Sequence, residues 1–294
     1  MPSALRCGLV ARLTLPQALS ALTEAAVWLD AHGATPVLET HSAAAAGLAG
    51  RWLTVARQEI ARQVDVLIAF GGDGTLLDAA GAVAEAGADV PLLGVNLGHL
   101  GFLTEVGREE LDDALEALVA GRARVESRTL LTGRVERGGH AVAEHVALND
   151  IVVTRGALSR MIEMDVTVDG QFVCHVKADG LIVATATGST AYNLSAGGPI
   201  VHPSVDAVVV TPIAPHTLTN RPIVLPAGST VALEPAIDPQ ASDIVVTFDG
   251  QFGAPLQPGD HVLIERAPRV LRLLRTSSRT HFDMLREKLK WGNQ

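Results

Sequence analysis

The sequence predicts an α/β N-terminal domain on a Rossmann-like parallel sheet, then an all-β, sandwich-like C-terminal domain, with a last helix returning to the first domain. Three observations predict it. Strand and helix signals alternate over the first hundred or so residues, which implies parallel pairing with right-handed crossovers. From about Val125 the texture changes to short β-rich runs. At the end, HFDMLREKLKWGNQ returns to helical spacing through Phe282, Leu285 and Leu289. The expected domains are 1–124, with 276–294 packing back on it, and 125–275.

The elements follow in order. CGLVAR (7–12) reads as a strand. Pro16 to His32 places Leu19, Leu22, Ala26 and Leu29 at helical spacing, and Gly33 is its stop. TPVLE (35–39) is a second strand, whereas the alanine-rich stretch from His41 to Gly50 reads equally as loop or helix. The run at 64–70 is a strand, Thr75 to Ala88 a helix, and VPLLGVN (90–96) a strand. Glu109 to Ala120 carries Leu111, Leu115, Leu118 and Val119 on one face. Beyond Val125 come RTLLTGRVER, HVALNDIVV, MIEMDVTVDG, QFVCHVK, GLIVAT, AVVVTPI, RPIVLP, STVALE, DIVVTFDG and HVLIER. Asp169-Gly170, Asp249-Gly250 and Pro258-Gly259 supply turns between them.

At 294 residues the chain has room for two domains with sizeable cores. A net charge of −9 argues against nucleic acid as a partner. No apolar stretch reaches membrane-spanning length. Arg6 and Arg12 interrupt any signal-peptide core, so a cytoplasmic location is expected. Cys7 and Cys174 alone make neither a disulfide framework nor a cysteine-based zinc site. The histidines show no metal-binding spacing, and His99 and His216 draw slight interest only for their glycine- or proline-rich loops. The G-x-x-x-x-G-K-[ST] loop is absent, and the lysines are Lys177, Lys288 and Lys290. Phosphate would have to be handled by arginine, backbone amides and a metal ion.

The chemistry concentrates at Gly71-Gly72-Asp73-Gly74-Thr75, where an apolar run stops and a helical pattern begins. A tight turn into a helix N-terminus presents N–H groups and positive potential to phosphate, and glycines let a ligand approach the backbone. A carboxylate inside such a cradle, at Asp73, suggests phosphoryl transfer. Asn149-Asp150 is a polar pair inside an apolar run, costly unless it meets a ligand or solvent. In KADGLIVATATGSTAYNLSAGGPI (177–200), Ser189 or Thr190 caps a helix or offers its hydroxyl to a ligand.

These segments together resemble the ATP-NAD kinases over most of the chain. GGDGT (71–75), NLGHLGFLTE (96–105), Asn149-Asp150, DGLIVATATGSTAYNLSAGGPIVHP (179–203), PIAPHTLTNRPIVLP (212–226), Asp249-Gly250-Gln251 and LREKLKWG (285–292) carry the likeness. GGDG alone is shared with lipid kinases and phosphofructokinases. The resemblance implies transfer of the ATP γ-phosphoryl group to the 2′-hydroxyl of the adenosine ribose of NAD, giving NADP. It implies Asp73 as the base and ATP phosphates along Gly71, Gly72, Gly74 and Thr75. Mg²⁺ or another divalent cation would accompany ATP, with no protein ligand assigned to it. NAD would be held by Asp73, Gly74, Phe102, Asn149, Asp150, Lys177, Asp179, Thr187, Thr190, Ala191, Tyr192, Ser195 and Gln251. A homo-oligomer, dimer or tetramer, is implied, with Asp179 coming from a neighbouring subunit or domain edge. Two positions depart from the family. Asp150 stands where Glu is usual, which retracts the carboxylate by one methylene. Ala186 stands where proline usually precedes TGST, which loosens that turn. The competing functions are a GGDG-type lipid kinase, which an acidic chain without a membrane-seeking face does not suit, and a non-catalytic dinucleotide sensor, which the retained Asp73 opposes.

Overall fold

The computed structural model describes residues 4–98, 101–156, 161–217, 219–238 and 243–291; His99 lies outside them. The chain divides into two compact units, residues 1–127 with 271–294, and residues 128–270.

In the first unit β1 (Arg6–Ala11), α1 (Pro16–Ala31), β2 (Thr35–Glu39), α2 (Thr40–Ala45), β3 (Leu53–Val55), α3 (Arg57–Ile60), β4 (Val66–Phe70), α4 (Asp73–Glu85), β5 (Leu92–Val95) and α5 (Leu111–Val119) follow in order. The strands lie side by side as β5-β4-β1-β2-β3, all parallel. β1 and β4 are apolar and buried along nearly their whole length, as strands of a parallel sheet must be. Helix α1 opens with Pro16 in its first turn and buries Ala18, Ala21, Leu22, Ala25, Ala26 and Leu29 in the core. The stretch left open between loop and helix starts with α2, because the Glu39 carboxylate accepts from the N–H groups of His41 and Ser42 and so caps it. β3 and α3 were not foreseen; three and four residues are too few to show a period.

The strand order reverses between β1 and β4, and in such a sheet ligands bind beyond the strand C-termini at that point. The glycine turn 71–74 leaves β4 there, and the loop 96–106 leaves its neighbour β5.

β6 (Arg124–Arg137) leads into the second unit. There follow β7 (His140–Ala147), β8 (Asp150–Arg155), β9 (Ile162–Val168), β10 (Gln171–Ala178), β11 (Gly180–Thr185), the single turn α6 (Tyr192–Ser195), β12 (Ala207–Ile213) and β13 (Ile223–Pro226). β14 (Val231–Pro235), β15 (Ile244–Phe248), β16 (Phe252–Pro255) and β17 (His261–Arg275) complete the strands, and β17 leads back to the first unit and α7 (His281–Leu289). One antiparallel sheet runs β13-β12-β11-β8-β15-β16. β10, β9, β14 and the first part of β17 form another, also antiparallel. Ile151, Val153, Leu181 and Val183 from the first meet Met164, Val166, Val176 and Leu233 from the second in one core, which makes the unit a sandwich. In the first unit, Leu273 pairs with Leu92 of β5, and Arg279 just before α7 binds Glu110 at 2.9 Å. Among the described residues no helix is long and apolar enough to cross a membrane.

Candidate active site

The chain turns from β4 into α4 through Gly71 and Gly72, with Gly72 as the N-cap and Asp73 as the first helical residue. None of Gly71, Gly72 and Gly74 uses the left-handed backbone region. Gly71 is required for another reason: a Cβ there would collide with the Thr75 side chain. Gly72 and Gly74 face open space, which leaves their backbone approachable.

Asp73 does more than border the turn. Its Oδ1 accepts from the N–H groups of Leu103 and Thr104 at 3.2 and 3.0 Å and from the Thr104 hydroxyl at 2.8 Å. Its Oδ2 accepts from the Phe102 N–H at 2.8 Å. The Thr104 hydroxyl in turn accepts from the Asn96 amide at 2.8 Å. Gly101 packs so closely on the Asp73 carboxylate that a Cβ there would overlap it. The carboxylate is therefore the anchor of the loop after β5. A carboxylate oxygen can accept more than one hydrogen bond, so Oδ2, with one donor among the described residues, keeps room for another. Phe102, expected to line the nucleotide, takes part through its backbone.

The same loop is tied from below. Glu105 is buried and pairs with Arg275 at 3.1 Å, while the Thr276 N–H reaches its other oxygen. Arg275 also donates to Leu103 O and to Glu126.

In the second unit the expected single run HVALNDIVV is two strands. β7 ends at Ala147 and β8 begins at Asp150, so Asn149 lies in the connection and the rule of alternating faces does not govern the pair. The cause is Asp249. Its carboxylate accepts from the N–H groups of Leu148, Asn149 and Asp150 at 2.7, 2.7 and 3.0 Å and bends the chain around itself. From the other side the Thr185 hydroxyl donates to Leu148 O, and Asn149 O accepts from the Thr185 N–H. A Cβ at Gly188 would strike the Asn149 backbone, which explains the glycine of TGST.

The expected helix over AYNLSAGG is only a 3₁₀ turn, Gly188–Thr190, and the one-turn α6. Neither Ser189 nor Thr190 caps it. Ser189 is buried, donating to Ala186 O and accepting from the Val201 N–H, and Thr190 donates to Thr187 O. Asn193 holds the segment instead, bonded to Ser189 O, Pro199 O and the Thr211 hydroxyl. Thr187 is buried, Tyr192 and Ser195 are exposed, and Ala191 is intermediate.

The structure thus gathers Asn149, Asp150 and the 187–195 segment at one end of β8 and β11, where Asp150 lies opposite Ala184. Gln251 is exposed in the adjacent β15–β16 turn, two residues after Asp249. Lys177 and Asp179 lie at the other end of β11, where Gly180 pairs with Thr154. At about 3.3 Å per residue that is roughly 15–20 Å away. There Lys177 binds Glu163 at 2.6 Å and Asp179 binds Arg155 at 2.9 Å, which holds the Asp179 carboxyl below its ordinary range. An apolar cavity of about 240 Å³ among Val166, Val176, Leu181 and Val210 touches none of the expected site residues. Among the described residues no three His, Cys, Asp or Glu side chains group as a metal site.

Sequence reasoning assigns no role in the site to Thr104, Thr185 or Asp249. Asp249-Gly250 was legible as a turn, and nothing local signalled that its carboxylate serves a backbone a hundred residues away.

Asp150 is buried, and burial, with the Asp249 charge beside it, pushes its carboxyl up to about 7. A carboxyl whose folded value exceeds its unfolded one binds more protons in the folded state between those two values. Its contribution to stability therefore falls as pH rises from about 4 to about 7 and is level above. Asp150→Asn is expected to raise the melting temperature of the ligand-free protein at pH 8, on the order of 5 °C, and to change it little at pH 4. Calorimetry at the two pH values checks this; an equal shift at both would exclude the ionisation as its source.

Two family models match, the ATP-NAD kinase N-terminal domain over residues 9–123 and the C-terminal domain over residues 148–276. An NAD kinase of Citrifermentans bemidjiense is 44% identical over 293 residues, covering 98% of this chain and 99% of its own. One of Geobacter metallireducens is 43% identical, with the same coverage. Among solved structures, yeast NADH kinase complexed with NADH superposes with a TM-score of 0.89 at 24% identity, over 100% of this chain and 89% of that one. An NAD kinase from Archaeoglobus fulgidus in complex with ATP gives 0.74 at 24% identity, over 97% and 99%.

Proposed function

Since the chain belongs to the ATP-NAD kinase family, we propose that Asp73 is the base that activates the 2′-hydroxyl of the adenosine ribose of NAD for attack on the ATP γ-phosphoryl group. The activity itself is that of an NAD kinase, an ATP-dependent phosphotransferase. A ribose hydroxyl is a weak nucleophile, and a carboxylate that takes its proton as the new O–P bond forms and the bond to ADP breaks lowers the barrier. The observation that carries this reading is the place of Asp73 Oδ2 at the start of α4, beside the open backbone of Gly72 and Gly74 and with a single donor among the described residues.

ATP phosphates lie along Gly71, Gly72, Gly74 and Thr75; the Gly71 and Thr75 N–H groups are taken by Val95 O and Gly72 O, so the helix dipole and the open backbone at Gly72 and Gly74 are what favour anions. This donor set has no lysine and suits a phosphate chain that already carries its cation. Mg²⁺ bound with ATP supplies neutralisation of the phosphate charge. Asn149 and Asp150, with Phe102, Thr187, Thr190, Ala191, Tyr192, Ser195 and Gln251, hold NAD. Lys177 and Asp179 contribute from a neighbouring subunit of a homo-oligomer. Their distance along β11 from Asp150 within one chain supports that assignment. The enzyme works in the cytoplasm.

The test is a one-pot reaction of purified protein with NAD, ATP and Mg²⁺, with NADP read by an NADP-specific dehydrogenase. The reading requires product that depends on the cation and on Asp73. NADP formed at an undiminished rate by an Asp73 variant would remove that residue from the base role.

A further inference from the structure

We infer that Asp249 is a positioning residue for the nucleotide site, its carboxylate fixing the backbone of Leu148–Asp150 and so the aim of the Asn149 and Asp150 side chains. The inference rests on the proposed role of that pair in holding NAD. Three successive N–H groups converge on one carboxylate, and the Asp249 N–H returns a bond of 2.9 Å to Asp150 O. The contact is closed in both directions and ties the connection between β7 and β8 at three successive residues.

The turn by itself does not require this residue. Asp249 and Gly250 both have positive φ, 51° and 63°, and the Gln251 N–H bonds to Phe248 O, the geometry of a tight hairpin turn that Asn or Gly also satisfies. The chain contains its own comparison. Asp169-Gly170 makes a turn with φ of 51° and 74°, yet Asp169 is exposed and, among the described residues, its carboxylate receives one backbone bond, from Thr230. Same turn, different duty. Asp249 sits where burial pushes its carboxyl above the ordinary range against the pull of three N–H bonds. It is also the charged group that acts on Asp150. A fold that needed only a turn would gain by losing that charge.

Asp249→Asn keeps the turn and removes the charge and one acceptor oxygen. Because hydrogen bonds to a charged group are at stake, KM for NAD is expected to rise about tenfold or more, with a smaller fall in kcat and an unchanged KM for ATP. The inflection in the pH dependence of KM for NAD should move down from near neutrality, because Asp150 loses a neighbouring negative charge. Asp249→Gly, which accepts the positive φ, should behave likewise and serves if the Asn variant does not fold. Asp169→Asn should change none of these. A loss of thermal stability in the Asp249 variants with KM for NAD and its pH inflection unmoved would overturn the inference. Asn149→Ala and Asp150→Ala separate the two failures. If they too leave KM for NAD unchanged, the NAD-holding pair is wrong. If they raise it and Asp249→Asn does not, only the positioning role is wrong.

Discussion

Asp73→Asn is expected to lower kcat by about a thousandfold, the middle of the range for a positioned base, and to weaken NAD binding as well. The second effect follows from the geometry rather than from the chemistry. An amide matches a carboxylate in size but offers one acceptor oxygen. Set with its nitrogen at the Oδ2 position, it opposes the Phe102 N–H; set the other way, it opposes Leu103 and Thr104 together. Leaving a buried donor unpaired costs about 1–3 kcal/mol, enough to displace the loop that carries Phe102. Thr104→Val separates the two functions, since it removes the hydroxyl bond to Oδ1 and leaves the carboxylate. It should raise KM for NAD with a kcat loss far below that of Asp73→Asn. Steady-state kinetics with calorimetric titration of NAD would read both. A kcat for Asp73→Asn within tenfold of the parent would end the base assignment.

Arg275→Met is expected to destabilise the first unit strongly. It strips the guanidinium from Glu105 and leaves a buried, uncompensated carboxylate, a situation that costs about 3–5 kcal/mol. It also releases Leu103 O and Glu126. Adding Glu105→Leu to Arg275→Met should recover much of the loss, because removing both charges ends the desolvation cost. Urea unfolding of the single and double variants would show it. A double variant no better than Arg275→Met would mean that packing, not charge, is what Arg275 supplies. Since Glu105 ends the loop that grips Asp73, Arg275→Met should also depress turnover in protein still folded at low temperature.

How much of this is legible in the sequence varies with the range of the interaction. The sequence delimits β2 and β11 to the residue, because apolar runs between turn signals carry their own limits. β17 was read only over its first six residues; Arg266, Arg269 and Arg272 interrupt its apolar pattern, although it runs from His261 to Arg275. The GGDG turn was legible from composition. The purpose of Gly101 and Gly188 was not, since each is demanded by an atom brought from elsewhere, Asp73 in one case and the Asn149 backbone in the other. The same holds for Asp249. Its letter says turn, and only the fold says clamp.

The chain contains four Asp–Gly pairs, beginning at Asp73, Asp169, Asp179 and Asp249. Among aspartyl dipeptides this one isomerises readily, because the unhindered glycine nitrogen attacks the aspartyl side-chain carbonyl and expels water to close a succinimide, which hydrolyses mostly to isoaspartate. Ring closure needs the side chain to swing toward the following nitrogen. Here every one of the four carboxylates is hydrogen-bonded elsewhere: to the loop after β5, to Thr230, to Arg155 and to Leu148–Asp150. The bonds that arrange the site also protect it chemically. Isoaspartate should accumulate slowly in the native enzyme and quickly once the chain has opened, so its content in an aged sample records how long the protein has spent unfolded.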